Sequence, residues 1–296
     1  MVSPASRQGA VRFLEEKLSY SERGACQLVK VSRSALRYRP RKKPDEERLK
    51  DRIRELSRKY KRYGNPRITH ELKQEGWEVN HKRVHRMRKE EGLVLPRKRP
   101  RRRRCGQPAE RLQKAQDRDH VWSYDFVEDR TQKGGRLRIL AVLDEYTREC
   151  LALPVAPSMN AQSVINALEW LFLTRGVPKF IRSDNGPEFI AKAIQQWLNK
   201  QGCQALYIEP GSPWENGYVE SFIGKFRDEC LNMNLFCNGA EARTIIEAWR
   251  EEYNGRRPHS SLGYRTPEEF AAQALSAASA TPQQHCMDTE REFILT

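Results

Sequence analysis

The spacing of apolar residues changes character along this 296-residue chain: helical in the first third, alternating beyond residue 120, then helical again. Residues 5–18 carry a helical pattern. Ser21 is placed to cap a second helix through Leu28, and Ser32 a third that ends before Pro40. Three short helices with a tight last turn suggest a helix-turn-helix, with Arg33 and Arg37 on one exposed face. After a basic linker at Arg41–Pro44, the residues Leu49, Ile53, Leu56 and Tyr60 give the next helix its apolar side. Pro66 opens a helix that stops at Gly76, and Asn80 caps another from His81 that stops at Gly92. That last helix offers Lys82 and Arg83 in its first turn and Arg86 a turn later, as a helix entering a major groove would.

Three strand candidates follow, Val121–Val127, Arg136–Leu143 and Cys150–Val155, the first two joined by Lys133-Gly134-Gly135, a hairpin signal. A helix from Asn160 to Arg175, a strand over Lys179–Arg182, a helix over Phe189–Lys200 and a strand over Ala205–Ile208 come next. Then Val219, Phe222, Ile223, Phe226 and Cys230 fall on one helical stripe, and another helix runs from about Ala240 to Tyr253. Residues 273–296, rich in Ala, Ser and Gln, are expected to form a poorly ordered tail.

Charge changes the picture. The chain carries a net +15, but residues 1–118 hold 36 Lys and Arg against 15 Asp and Glu, a net +21, so the remainder is at −6. A basic arm on a mildly acidic body points to a polyanion gripped by one part and processed by another. The run Arg101, Arg102, Arg103 and Arg104 reads as an extended strap for phosphates. Seven scattered cysteines without a Cys-x-x-Cys signal neither disulfides nor a zinc ribbon, and His81 and His85 are read as surface or DNA-facing. No apolar run approaches a membrane span and the N-terminus lacks a signal-peptide centre, so no membrane partner and a cytoplasmic, nucleoid-associated site are expected.

Asp125 lies in the first strand, Asp184 at the end of the fourth, and Glu220 on the amphipathic helix, with 35 residues between the last two. Three carboxylates so placed suit hard divalent cations, and a pair of such ions can clamp both sides of a phosphodiester displacement. Arg227 falls seven residues after Glu220 on nearly the same line, with Gly224 between them. Asp129, Asp144, Glu188 and Glu215 are set aside as catalytic candidates, with Glu188 and Glu215, near the site, given structural or DNA-positioning roles.

Several motifs then occur in order: Trp122-x-x-Asp125, Ser183-Asp184-Asn185-Gly186-Pro187-Glu188-Phe189, Glu215-Asn216-Gly217-x-x-Glu220-Ser221-Phe222, and Tyr253-Asn254 followed by Arg257-Pro258-His259. In these the chain resembles the catalytic subunit of bacterial insertion-sequence transposases of the IS-three group, relatives of retroviral integrases, over roughly residues 45–272. The resemblance implies a multidomain protein: N-terminal all-α helix-turn-helix-like modules and an α/β RNase H-like core with a mixed five-stranded sheet. The expected divisions are 1–40, 41–96, a basic linker at 97–118, the core at 119–272 and a tail from 273.

It further implies Mg²⁺-dependent strand cleavage and 3′-hydroxyl transfer at element ends by Asp125, Asp184 and Glu220 holding two ions, with Mn²⁺ able to substitute. Asn185, Lys225, Arg227, Tyr253, Asn254, Arg257 and His259 would position DNA. The implied partners are double-stranded DNA (terminal repeats and target), further copies of the chain, and an upstream-frame product, separate or fused. The alternatives are a non-catalytic DNA-binding regulator and a nuclease that hydrolyses without joining.

Overall fold

The computed structural model describes residues 4–38, 44–96, 114–184, 192–207 and 216–280. The chain divides into two compact units, Met1–Glu55 and Leu56–Thr296.

In the first unit, α1 (Pro4–Leu18), α2 (Glu22–Val29) and α3 (Arg33–Arg37) form a helical trio. Ser21 and Ser32 cap α2 and α3, accepting from the N–H groups of Gly24 and Ala35; each such cap contributes about 1 kcal/mol. Val11, Ala25 and Cys26 make a small core that Leu14, Val29 and Leu36 extend. Helix α4 (Glu46–Lys59) crosses the division, with Leu49, Ile53 and Leu56 buried as its pattern requires.

The second unit opens with α5 (Asn65–Gln74) and α6 (His81–Glu90), which bury Ile68, Leu72, Val84 and Met87. Between them the buried Arg88 guanidinium donates to the carbonyls of Tyr63 and Leu93 and to Asn65 Oδ1. Asn65 also meets His85 Nδ1 at 2.6 Å, so His85 is half-buried and held inside the fold rather than surface-facing.

The sheet follows: β1 (Val121–Arg130), β2 (Arg136–Asp144), β3 (Cys150–Ala152), β4 (Val155–Ala156), β5 (Phe180–Ser183) and β6 (Gln204–Tyr207). Its order is β3-β2-β1-β5-β6, with β4 also on β2; β1 pairs antiparallel with β2 and parallel with β5. The expected single third strand is thus two short ones. Pro154 lies at the break and has no N–H to give the ladder, while its carbonyl accepts from Leu140, and the β2–β3 register shifts between Val142 and Leu143.

Strand alternation sends each side of the sheet to its own layer of helices. Trp122, Tyr124, Leu140, Val142 and Ile181 pack with α7 (Ala161–Arg175) and α8 (Lys192–Lys200). Val127, Leu137, Ile139, Ala141 and Leu143 pack with α9 (Gly217–Glu229) and α10 (Gly239–Gly255). Val219, Phe222 and Phe226 of α9 are buried in that second layer, with Trp249 and Tyr253 against them. Helix α11 (Pro267–Ala280) corrects the expected tail for residues 273–280, where a run rich in alanine sustains the helix. Among the described residues no helix is long and apolar enough to cross a membrane.

Candidate active site and nucleic-acid interface

Asp125 belongs to the side of β1 that faces α9, two residues before the buried Val127. The parallel pairing Ser123↔Arg182 fixes its neighbour: two residues further along each chain, Asp125 and Asp184 come side by side. Glu220 stands in the first turn of α9, exposed. Asp125 Oδ1 accepts from Phe126 N–H at 2.7 Å. Burial raises the Asp125 carboxyl to about 6, against that hydrogen bond, and the charges of Asp184 and Glu220 push it the same way while Arg227 opposes them. Asp125 therefore senses both of the other carboxylates. Among the described residues, however, no three acidic, His or Cys groups stand close enough to grip an ion as they are.

Just behind this acidic edge, Arg182 and Glu145 form a buried bidentate ion pair, 2.9 Å at both oxygens. Asp144 is a turn organiser: its carboxylate accepts from Asp119 N–H, Tyr146 N–H and the Thr147 hydroxyl.

The two ends of α9 do different work. At 3.6 residues per turn Glu220 and Arg227 share one flank of its buried stripe, and Tyr218, Lys225 and Glu229 share the other. Arg227 is exposed, with Nη1 3.4 Å from the Glu128 carbonyl. Lys225, five residues from Glu220 and so about 140° round the helix, is turned away from the acidic edge; its Nζ lies 3.2 Å from His259 Nε2.

Four residues expected on the DNA are instead engaged within the fold. Tyr253 is buried among Phe222, Trp249 and His259. Asn254 is spent on the sheet edge, accepting from Cys150 N–H at 2.8 Å and donating to its carbonyl at 2.9 Å. Arg257 is buried and grips Glu229 at 2.6 and 2.7 Å, while His259 is buried beside Lys225. Arg67 adds a 3.1 Å contact to Glu229, and Arg62 bonds Asp228, so α5 and the segment before it dock on the last turn of α9. Burial pushes the Glu229 carboxyl up, but Arg257 and Arg67 hold it below the usual range.

Of the basic residues expected on the nucleic acid, Lys82 and Arg86 are exposed on α6 and Arg83 is half-exposed; Arg86 also bonds Glu90. Arg33 and Arg37 are exposed on α3, and both donate to Glu22. Arg101, Arg102, Arg103, Arg104 and Asn185 lie outside the described residues, as do Glu188 and Glu215. Sequence reasoning passed over Arg148, whose guanidinium lies 3.8 Å over the Tyr218 ring; an arginine in a turn gives no pattern by which to find it.

The integrase core domain family matches residues 115–213, a second integrase core domain family matches 201–267, and an HTH-like domain family matches 44–101. The insertion element IS407 uncharacterized 31.7 kDa protein of Burkholderia multivorans is 42% identical over 90% of this chain and 96% of its own length. Transposase InsF for insertion sequence IS3A of Escherichia coli is 27% identical over 75% of this chain and 81% of its own. Among solved structures, the HTLV-2 integrase catalytic core domain in complex with magnesium is 16% identical, with a TM-score of 0.44 over 53% of this chain and 98% of that one. The fold is an integrase-like core behind a helical HTH-like region. The chain belongs to the insertion-sequence transposases of the IS-three group.

Proposed function

We propose that this chain cuts DNA strands at the ends of an insertion sequence and joins the freed 3′-hydroxyls to target DNA. The observation that carries this reading is the pull of Asp184 and Glu220 on the Asp125 carboxyl, with Asp125 on β1, Asp184 directly after the parallel β5, and Glu220 on α9. Three carboxylates are hard oxygen donors, a set that fits Mg²⁺ and tolerates Mn²⁺. When bound, a pair of such ions activates the attacking oxygen and stabilises the leaving one.

The chain's own residues supply the rest. Asp125 and Asp184 form the fixed part of the grip, and the exposed Glu220 turns in to complete it. An Asp125 carboxyl held near 6 gives up its proton readily once positive charge arrives beside it. Arg227, on the same flank as Glu220, holds a backbone phosphate by a charge-assisted bond. Lys82, Arg83 and Arg86 of α6, Arg33 and Arg37 of α3 and the basic run at 101–104 hold the duplex, with further copies of the chain and the upstream-frame product as partners.

The test supplies the purified chain with Mg²⁺, a duplex bearing the element's end and a target plasmid. Joined products are expected from the wild type. Asp184→Asn is expected to neither cut nor join while keeping its duplex affinity. Nicks without joining would point to a hydrolytic nuclease, binding alone to a non-catalytic regulator, and undiminished cutting by Asp184→Asn would sink the assignment.

A further inference from the structure

The flank of α9 away from Glu220 carries an excess of positive charge. Arg67, Arg148, Lys225 and Arg257 all act there on His259, which rests against Lys225. Among the described residues one carboxylate, Glu229, answers them, and it is already taken by Arg257 and Arg67. Glu145 also senses Arg148, but its two oxygens are both held by Arg182. Among the described residues, Arg148 and Lys225 are left with no carboxylate of their own. Arg148 stacks on Tyr218, and among the described residues its buried Nη1 meets no acceptor; the same is true of Nη1 on Arg257.

Such N–H groups are costly when nothing accepts from them. Arg148 moreover stands in the left-handed region at φ 64°, a conformation that non-glycine residues rarely hold without a reason. His259 offers Lys225 only a neutral ring, whose Nδ1 lies 2.9 Å from the Ser261 hydroxyl. Burial first, and then Arg257 and Arg67, push the Lys225 ammonium down to about 8; burial and Lys225 push His259 down to about 3. Repulsion is being tolerated here, and a bound anion would relieve it.

We propose that Arg148 and Lys225 form a phosphate-oxyanion site on this flank, separate from the acidic edge. The oxyanion accepts from the half-exposed Arg148 guanidinium and from Lys225 Nζ, beside the Arg257–Glu229–Arg67 cluster. Two sources share that chemistry, a DNA backbone phosphate and free phosphate. The DNA source rests on the function proposed above, whereas the oxyanion site does not.

The experiment uses the full chain without Mg²⁺, so that its outcome is independent of strand cleavage. Lysines are dimethylated with ¹³C, the Lys225 signal is assigned by its loss in Lys225→Arg, and its titration is followed by NMR at constant ionic strength. Inorganic phosphate and a duplex oligonucleotide are the probes, with chloride as the control. Either probe is expected to raise the Lys225 midpoint from about 8 toward the ordinary lysine range. A response to the duplex alone assigns the site to the DNA backbone, and one to phosphate alone assigns it to small oxyanions. Arg148→Gln is expected to abolish the response and to weaken duplex binding about tenfold, the scale of one charge-assisted hydrogen bond. A midpoint unmoved by both probes, or a shift that persists in Arg148→Gln, overturns the proposal.

Discussion

Two gatherings of like charge flank the buried stripe of α9, and they are opposite in sign. On one side Asp125 is raised by burial and by the carboxylates of Asp184 and Glu220. On the other, Lys225 is depressed by burial and by the guanidiniums of Arg257 and Arg67. Elsewhere in the same domain two groups of buried or half-buried charges are paired. Arg182 pairs with Glu145, and Arg175 bridges Asp119 and Glu149. Balanced pairs fasten one element to another; unbalanced groups cost stability and persist where a ligand of the opposite sign completes them. The contrast separates architecture from function among residues that composition alone would lump together.

The largest effect is expected on the acidic flank. Glu220→Gln should lower strand cleavage on the order of a thousandfold, the scale of losing one preorganised electrostatic group. Duplex affinity should stay at the wild-type value, because Glu220 holds no basic contact to the DNA. A gel assay of cutting beside a binding titration reads both. If Glu220→Gln cut at the wild-type rate, the acidic flank would rank with the structural pairs and the contrast would dissolve.

A balanced pair should fail differently. Glu145→Gln leaves the Arg182 guanidinium buried without its carboxylate, which is expected to cost about 3–5 kcal/mol in urea unfolding. The double variant Glu145→Leu with Arg182→Met should recover most of that loss, since buried pairs are often replaceable by apolar residues. Equal losses from the single and double variants would show that the pair does more than neutralise itself.

What the sequence disclosed follows the range over which each signal acts. Ser21, Ser32, Asn80 and Asn160 mark helix starts because a cap is settled within three residues, and all four accept from the expected turn. The apolar stripe on α9 and the alternation in β1 were legible for the same reason, and together they set Asp125 on the side facing Glu220. Tyr253, Asn254, Arg257 and His259 were read outward because polar and aromatic residues in a loop-like string have no local mark of their partners. Glu229 lies 28 residues from Arg257, and Cys150 lies 104 from Asn254. The break at Pro154 was visible as a residue but not as a consequence, because it matters only once β2 stands opposite.

The smallest effect, and the one that probes the cationic flank without a ligand, is the pH dependence of stability at Lys225. Its folded value lies near 8 and its unfolded value near 10.5. Below about 8 both states carry the proton, and the folded state bears the full repulsion from Arg257, Arg67 and Arg148. Between about 8 and 10.5 the unfolded chain holds the proton that the folded chain has released, so this group makes stability rise with pH. Lys225→Met keeps the apolar stem and removes the charge. It is therefore expected to be more stable than wild type at pH 7, by a margin that shrinks as pH climbs through that window. Paired urea titrations at pH 7, 8.5 and 10 measure the margin directly, with other titrating lysines and tyrosines cancelling between the two proteins. A margin that is constant with pH would mean that Lys225 already has its counter-charge within the fold. The cationic flank would then be as balanced as the Arg182–Glu145 pair.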